Sequence, residues 1–179
     1  MKNLQIGVMG PSKNNYPAEA ELARRVEEYS EIIGGLLARE EVLVFTGGDD
    51  GIMEAVMRGA KNKGGTTIGF PGTVKSKTNP FCDIRINLDV DIGSFAYAGM
   101  PSSNALITFP IASSGTMLEI MSAYRHRIPN VLLRGFNPEF EKMYPRYYDA
   151  TKMILFYWVK TPEEAVDLSI ELGGRNLWK

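Results

Sequence analysis

ALITFPIASSGTMLE, residues Ala105 to Glu119, decides how this chain folds. Ala105 to Phe109 is an apolar run of strand length, and Pro110 ends it. Ile111 to Gly115 form a loop, and Thr116, Met117, Leu118 and Glu119 continue as a helix. A buried strand that stops at such a loop and feeds a helix is where an α/β sheet usually holds a phosphate. Ser113, Ser114 and Thr116 add hydroxyls beside the unpaired amides of the helix start. Glu119 follows on an otherwise apolar turn. Its carboxylate either points into the crevice as a base or ligand contact, or answers the dipole of the helix N-terminus.

Two other turns have the same form. Leu4 to Met9 reads as a strand closed by Gly10, Pro11 and Ser12. Val42 to Phe45 reads as another, followed by Thr46, Gly47, Gly48, Asp49, Asp50 and Gly51, after which Ile52, Val56 and Ala60 open a helix. Glycine lets a phosphate or ribose approach main-chain amides closely, and a tight turn needs it in any case. Asp49 and Asp50 suit ribose hydroxyls or a helix N-terminus better than a phosphate. In a doubly wound sheet all three turns open at the carboxyl edge of the strands, and neighbouring ones flank the switch-point crevice. The expected ligand contacts are therefore Gly10, Ser12, Gly47, Gly48, Gly51, Ser113, Ser114, Gly115 and Thr116, with Glu119 as the candidate catalytic residue.

The remaining segments fit around that edge. From Pro17 to Glu40 apolar residues recur at helical spacing, and the Gly34–Gly35 pair inside this helix predicts a close helix–sheet contact. Thr66 to Phe70 and Ile84 to Leu88 read as strands, with Pro71 to Pro80 between them as a binding wall, a lid or a solvated connector. Gly93 to Met100 is small and aromatic, either a subunit interface or a buried segment. The helix from the decisive stretch ends near Arg125, His126 and Arg127, cations placed against its C-terminal dipole. Val131 to Leu133 and Met153 to Trp158 read as the last strands, separated by a helical stretch from Pro138 to Tyr148 that Pro145 breaks. Thr161, Pro162 and Glu164 form a capping box for the final helix. About seven strands alternating with helices predict an α/β fold. We expect a single Rossmann-like doubly wound domain over residues 1–179, its mostly parallel sheet covered by helices on both faces.

Composition bounds the function. The 179 residues carry 20 Lys and Arg against 21 Asp and Glu, and this balance gives no electrostatic footprint for a nucleic-acid partner. An anionic small molecule is compatible with it, because backbone amides bind anions without surplus cations. The lone Cys82 permits no intramolecular disulfide and fits a reducing compartment. No apolar run reaches membrane-spanning length, and Met1 and Lys2 pass almost directly into a strand, so a cytoplasmic, membrane-free protein is expected. One His, one Cys and scattered carboxylates suggest no metal site.

Gly47, Gly48 and Gly51 followed by Ile52 and Met53 resemble the glycine-glycine-x-x-Gly-Leu-Met turn of the LONELY GUY proteins, once described as lysine decarboxylases, and of the related molybdenum cofactor carrier proteins. Gly115, Thr116 and Glu119 resemble the Gly-Thr-x-x-Glu end of the same group's second motif. The resemblance to LONELY GUY enzymes implies hydrolysis of the N-glycosidic bond of a nucleoside 5′-monophosphate, with Glu119 supporting an oxocarbenium-like ribose or positioning water. Two departures point elsewhere. Ala112 and Ser113 stand where the family has paired glycines, and Gly93 to Ala105 holds no Arg or Lys, the position of the family's catalytic Arg falling near Ala96. The carrier-like branch is therefore the expected one, with a phosphorylated nucleotide or a molybdopterin-type ligand as its small-molecule partner. The resemblance also implies a homo-oligomer.

Overall fold

Alternation along the strands divides the core in two. Side chains of successive strand residues point to opposite faces, so Ile6, Val8, Val44, Ile107, Val131 and Leu133 join one apolar cluster while Met9, Phe45, Leu106 and Leu132 join the other. A strand buried on both faces reads as a continuous apolar run, as Ala105–Thr108 does, and that pattern belongs to parallel sheets covered by helices.

The computed structural model of the chain describes residues 4–73, 76–90 and 93–176. The expected N-terminal entry at Met1 and Lys2, and Lys75 of the expected binding wall, lie outside them. The strands are β1 (Gln5–Met9), β2 (Leu43–Thr46), β3 (Thr67–Gly69), β4 (Ile84–Arg85), β5 (Ala105–Thr108), β6 (Asn130–Leu133) and β7 (Phe156–Val159). The helices are α1 (Ala20–Arg39), α2 (Ile52–Lys61), α3 (Ser114–Arg125), α4 (Pro138–Met143) and α5 (Pro162–Asn176), with short 3-10 turns at Lys13–Asn15 and Ser94–Ala96. The order β4-β3-β2-β1-β5-β6-β7 makes one sheet of seven strands, and every pairing is parallel. This is the expected α/β, Rossmann-like architecture. The chain moves outward from β1 through β2, β3 and β4, then returns to place β5 on the other side of β1, so the strand order reverses between β1 and β5.

α1, α2 and α5 cover one face, contributing Val26, Ile33, Val56, Val166 and Leu172 to its cluster. The other face is covered by α3, α4 and the 3-10 turn that carries Phe95, through Ile120, Tyr124, Phe140 and Phe95. The segment offered above as an interface is thus largely internal: Phe95, Ala96 and Met100 are buried, and Tyr97 alone of its large side chains stands out.

Some local expectations hold in detail. The capping box of α5 forms: the Glu164 N–H donates to Thr161 Oγ1 at 3.2 Å, and Glu164 Oε2 accepts from the N–H groups of Thr161 and Lys160. His126 is the C-cap residue of α3. Others need correction. β7 starts at Phe156, because the preceding Met153 is held off the sheet by donating its N–H to the Tyr124 hydroxyl at 2.9 Å. The glycine pair of α1 makes a helix–helix contact in place of the expected helix–sheet one. A Cβ on Gly34 would lie 1.9 Å from the Val56 carbonyl oxygen of α2, and one on Gly59 would lie 2.0 Å from the Glu31 oxygen of α1. The two backbones touch there, and the Arg58–Glu31 ion pair at 3.2 Å braces the crossing.

Candidate functional site

The reversal of strand order between β1 and β5 leaves a crevice at the carboxyl ends of those strands. A cleft of about 570 Å³ occupies it, a size that suits a nucleotide or cofactor. Its walls come from the turn after β1, the turn after β2, the segment after β3, the residues leading into the 94–96 turn, and the start of α3.

The start of α3 is the most informative wall. Ser113 is the N-cap: its extended backbone turns the chain into the helix, and its Oγ accepts from the Thr116 N–H at 3.2 Å. The same hydroxyl donates to Thr116 Oγ1 at 2.8 Å. Both side chains are thereby occupied with building the helix end. The N–H groups of Ser114 and Gly115 have no partner among the described residues, and both residues line the cleft. Gly115 is the informative residue. A Cβ placed on it would meet nothing within 4 Å, and its φ is not in the left-handed region, so neither packing nor backbone geometry requires glycine there.

The turn after β2 is built differently. Gly48 and Gly51 have φ of 79° and 67°, and their Cβ positions are filled by protein: the backbone of Gly69 beside Gly48, and that of Pro11, Ser12 and Lys13 against Gly51. Neither lines the cleft. Gly47 does, alongside Asp49. The Asp50 carboxylate accepts from the Lys13 N–H at 2.9 Å and ties this turn to the one after β1, where Gly10 and Ser12 face the cleft. Of the nine expected ligand contacts, seven line one cleft, and Gly48 and Gly51 sit behind its wall shaping the turn.

The segment after β3 forms a wall. Asn79 pins one end, donating through its side chain to the carbonyls of Gly48 and Asp49 and through its N–H to Gly48 O at 2.8 Å. Asn87 pins the other, donating to the Gly72 and Thr73 carbonyls at 2.7 Å. Between the pins, Gly72, Ser76 and Lys77 face the cleft. Lys77 is the cation among the described lining residues, and it makes no hydrogen bond or ion pair with a described residue. It was missed in the sequence because its loop is polar throughout, and only the Asn79 and Asn87 anchors turn a connector into a wall. Phe70, Pro71 and Phe95 give the cleft an apolar side.

Glu119 lines the same cleft, one helical turn beyond Gly115. Water still reaches part of the side chain, yet the dense surroundings penalise its charge strongly. Desolvation, with no compensating partner among the described residues, pushes the carboxyl up to about 8. At neutral pH it is mostly protonated. It then adds no negative charge to the cleft, and it can donate a hydrogen bond as well as accept one.

Comparisons with known proteins agree with the architecture. The SLOG cluster4 family model matches residues 3–166. An uncharacterized protein of Archaeoglobus fulgidus is 33% identical over 125 residues, covering 70% of this chain and 76% of its own length. Among solved structures, the molybdenum cofactor carrier protein of Chlamydomonas reinhardtii has a TM-score of 0.80 at 28% identity, over 96% of this chain and 98% of that one. The protein TM1055 has a TM-score of 0.80 at 25% identity, over 92% and 97%. Among the described residues no helix is long and apolar enough to cross a membrane.

Proposed function

We propose that this chain, which belongs to the SLOG cluster4 family, is a carrier-like protein that binds a phosphorylated nucleotide-like or pterin-type small molecule at the carboxyl edge of its sheet. The observation that carries the reading is Gly115. Glycine near a helix start costs stability relative to alanine, and here nothing in the protein asks for it. A ligand anion held against the N–H groups of Ser114 and Gly115 would ask for it, because a side chain there would stand between the anion and the amides. Lys77 supplies the cationic charge that the 93–105 segment lacks. The protonated Glu119 spares the anion a repulsive neighbour. The likeness to a molybdenum cofactor carrier supports a molybdopterin-type cargo, and a cleft of about 570 Å³ has room for one.

The test is thermal. AMP, GMP and molybdopterin are titrated against the protein, and at a hundredfold excess over Kd a bound ligand stabilises the fold by about 2.7 kcal/mol. At least one is expected to raise Tm by several degrees, and Gly115→Asp is expected to abolish the rise. A flat response across the three ligands overturns the reading.

A second reading rests on Glu119. A protonated carboxyl beside a nucleotide-sized cleft is equipped for general-acid work, as in a nucleoside 5′-monophosphate hydrolase that cleaves the N-glycosidic bond. Release of free base from AMP or isopentenyladenosine monophosphate, lost in Glu119→Gln, would replace the carrier reading with this one. No release, together with unchanged ligand affinity in Glu119→Gln, eliminates it.

A further inference from the structure

Among the described residues that line the cleft, charge is nearly balanced. The turn after β2 contributes Asp49, the segment after β3 contributes Lys77, and α3 contributes Glu119, while the turn after β1 and the residues around the 94–96 turn contribute no charged group. Asp50, behind the wall, is occupied with the Lys13 N–H. Asp49 and Lys77 are exposed and opposite in sign, so the half-buried Glu119 sets the sign of the lining. With its proton the lining is neutral overall, and the partial positive charge at the start of α3 favours an anion. Without its proton the lining is net negative, and the carboxylate stands one turn beyond the amides offered at Ser114 and Gly115. No hydrogen bond or ion pair from a described residue reaches Glu119 to offset that charge. A phosphate monoester, carrying about −1.5 to −2 near neutral pH, would then meet a second uncompensated charge of its own sign.

We propose that the cleft binds its anion together with a proton on Glu119, so that loading and release follow pH. This rests on the ligand-binding reading given above and adds the proton as a second occupant of the same site. Two anions held close together in a weakly hydrated cleft resist ionising together, so a bound phosphate strengthens the hold of Glu119 on its proton. The free cleft therefore loses that proton at a lower pH than the loaded one, and the difference is the coupling. Burial, which brings the carboxyl up to about 8, sets the loss from the free cleft just above neutral pH. Only the protonated fraction of the free protein is competent to bind, and apparent affinity falls with that fraction, by about tenfold from pH 7 to pH 9. The ligand does not supply this change, because a phosphate monoester has completed its second ionisation, near about 6, before that range begins.

Calorimetry on the full chain with AMP, GMP and molybdopterin, at pH 6, 7, 8 and 9 and in two buffers of different ionisation enthalpy, tests the proposal. For each ligand that binds at pH 7, Kd is expected to rise about tenfold by pH 9. Binding at pH 9 should take up about one proton per ligand, and binding at pH 7 almost none. Glu119→Gln, which has the shape of the protonated side chain and cannot ionise, is expected to lose both the rise in Kd and the proton uptake. A constant Kd from pH 7 to pH 9 in the wild type overturns the proposal and leaves the ligand-binding reading standing. So does a rise that persists in Glu119→Gln. The proton count needs the wild type alone, so binding at pH 9 without proton uptake overturns the proposal even where Glu119→Gln fails to fold. No binding of any of the three ligands at any pH overturns the ligand-binding reading itself, and the coupling with it.

Discussion

Gly51, at the start of α2, and Gly115, at the start of α3, open helices at the same edge of the same sheet. A Cβ on Gly51 would lie 2.6 Å from the Lys13 nitrogen and 2.9 Å from the Pro11 oxygen, whereas one on Gly115 would meet nothing within 4 Å. Gly51 also has φ 67° and ψ −131°, a conformation that side chains resist. The first glycine is there for the fold. The second has room that the fold does not use, and the empty side of that room is the cleft. Two turns with similar composition therefore separate into a structural hinge and a candidate ligand contact only when the space around each is known.

The strongest way to break this comparison is Gly51→Ala. Backbone strain and the clash with the turn after β1 together should cost about 2–4 kcal/mol, read as a drop in the urea midpoint at unchanged slope. Ligand affinity should fall as well, because Pro11 and Ser12 line the cleft and would have to move. A variant as stable as the wild type would remove the structural half of the contrast.

Glu119 sharpens the same contrast through pH. Its folded-state pKa lies above its unfolded value of about 4.5, so the folded state binds the proton more tightly. Stability from this group is fully present below about pH 4.5 and is lost as pH rises through about 8. Glu119→Gln should therefore be more stable than the wild type at pH 9, by roughly 2–3 kcal/mol once residual hydration is allowed for, and should close that gap towards pH 4. Parallel Tm-against-pH curves for the two proteins would show that the cleft does not desolvate this carboxyl.

What the sequence made legible follows from what is local. The strand-to-helix turns, the capping box at Thr161–Glu164 and the alternation of the strands are encoded within a few residues, and each reappears. A doubly wound sheet with a switch-point crevice also followed, because an alternating strand–helix pattern has few topologies open to it, but where in the strand order the reversal falls came only with the structure. Non-local features were not legible. Gly34 looks the same in the sequence whether it faces a sheet or the Val56 carbonyl of α2. Lys77 sits in a polar loop, and its place in the cleft depends on Asn79 and Asn87 reaching carbonyls about 30 and 15 residues away. Glu119 was open between two readings because burial, which raises its pKa, depends on chain segments distant in sequence that meet around the cleft.

Lys77→Ala asks whether the wall and the start of α3 address one ligand. Lys77 is exposed and makes no hydrogen bond or ion pair with a described residue, so Tm without ligand should be unchanged. Affinity for a phosphorylated ligand should fall about tenfold, or about 1.4 kcal/mol, with a smaller loss at high salt, where the charge is already screened. Calorimetry at two salt concentrations reads both. Unchanged affinity would leave the anion to the α3 amides alone.

The smallest stability effect comes from Gly115→Ala, and its sign matters more than its size. Alanine at an unstrained helical position limits the unfolded chain and favours the helix, so the substitution should stabilise the free protein by about 0.4–1 kcal/mol. It should do so while weakening ligand binding, because the new methyl occupies the space through which an anion reaches the Ser114 and Gly115 N–H groups. The same glycine-to-alanine change would then destabilise the fold at 51 and stabilise it at 115. A gain in Tm without ligand, joined to a smaller ligand-induced rise, is the result that separates a glycine kept for a ligand from one kept for the chain. If Gly115→Ala instead lowers Tm and leaves affinity intact, Gly115 belongs with Gly51, and the cleft loses the feature that distinguishes it from an ordinary turn.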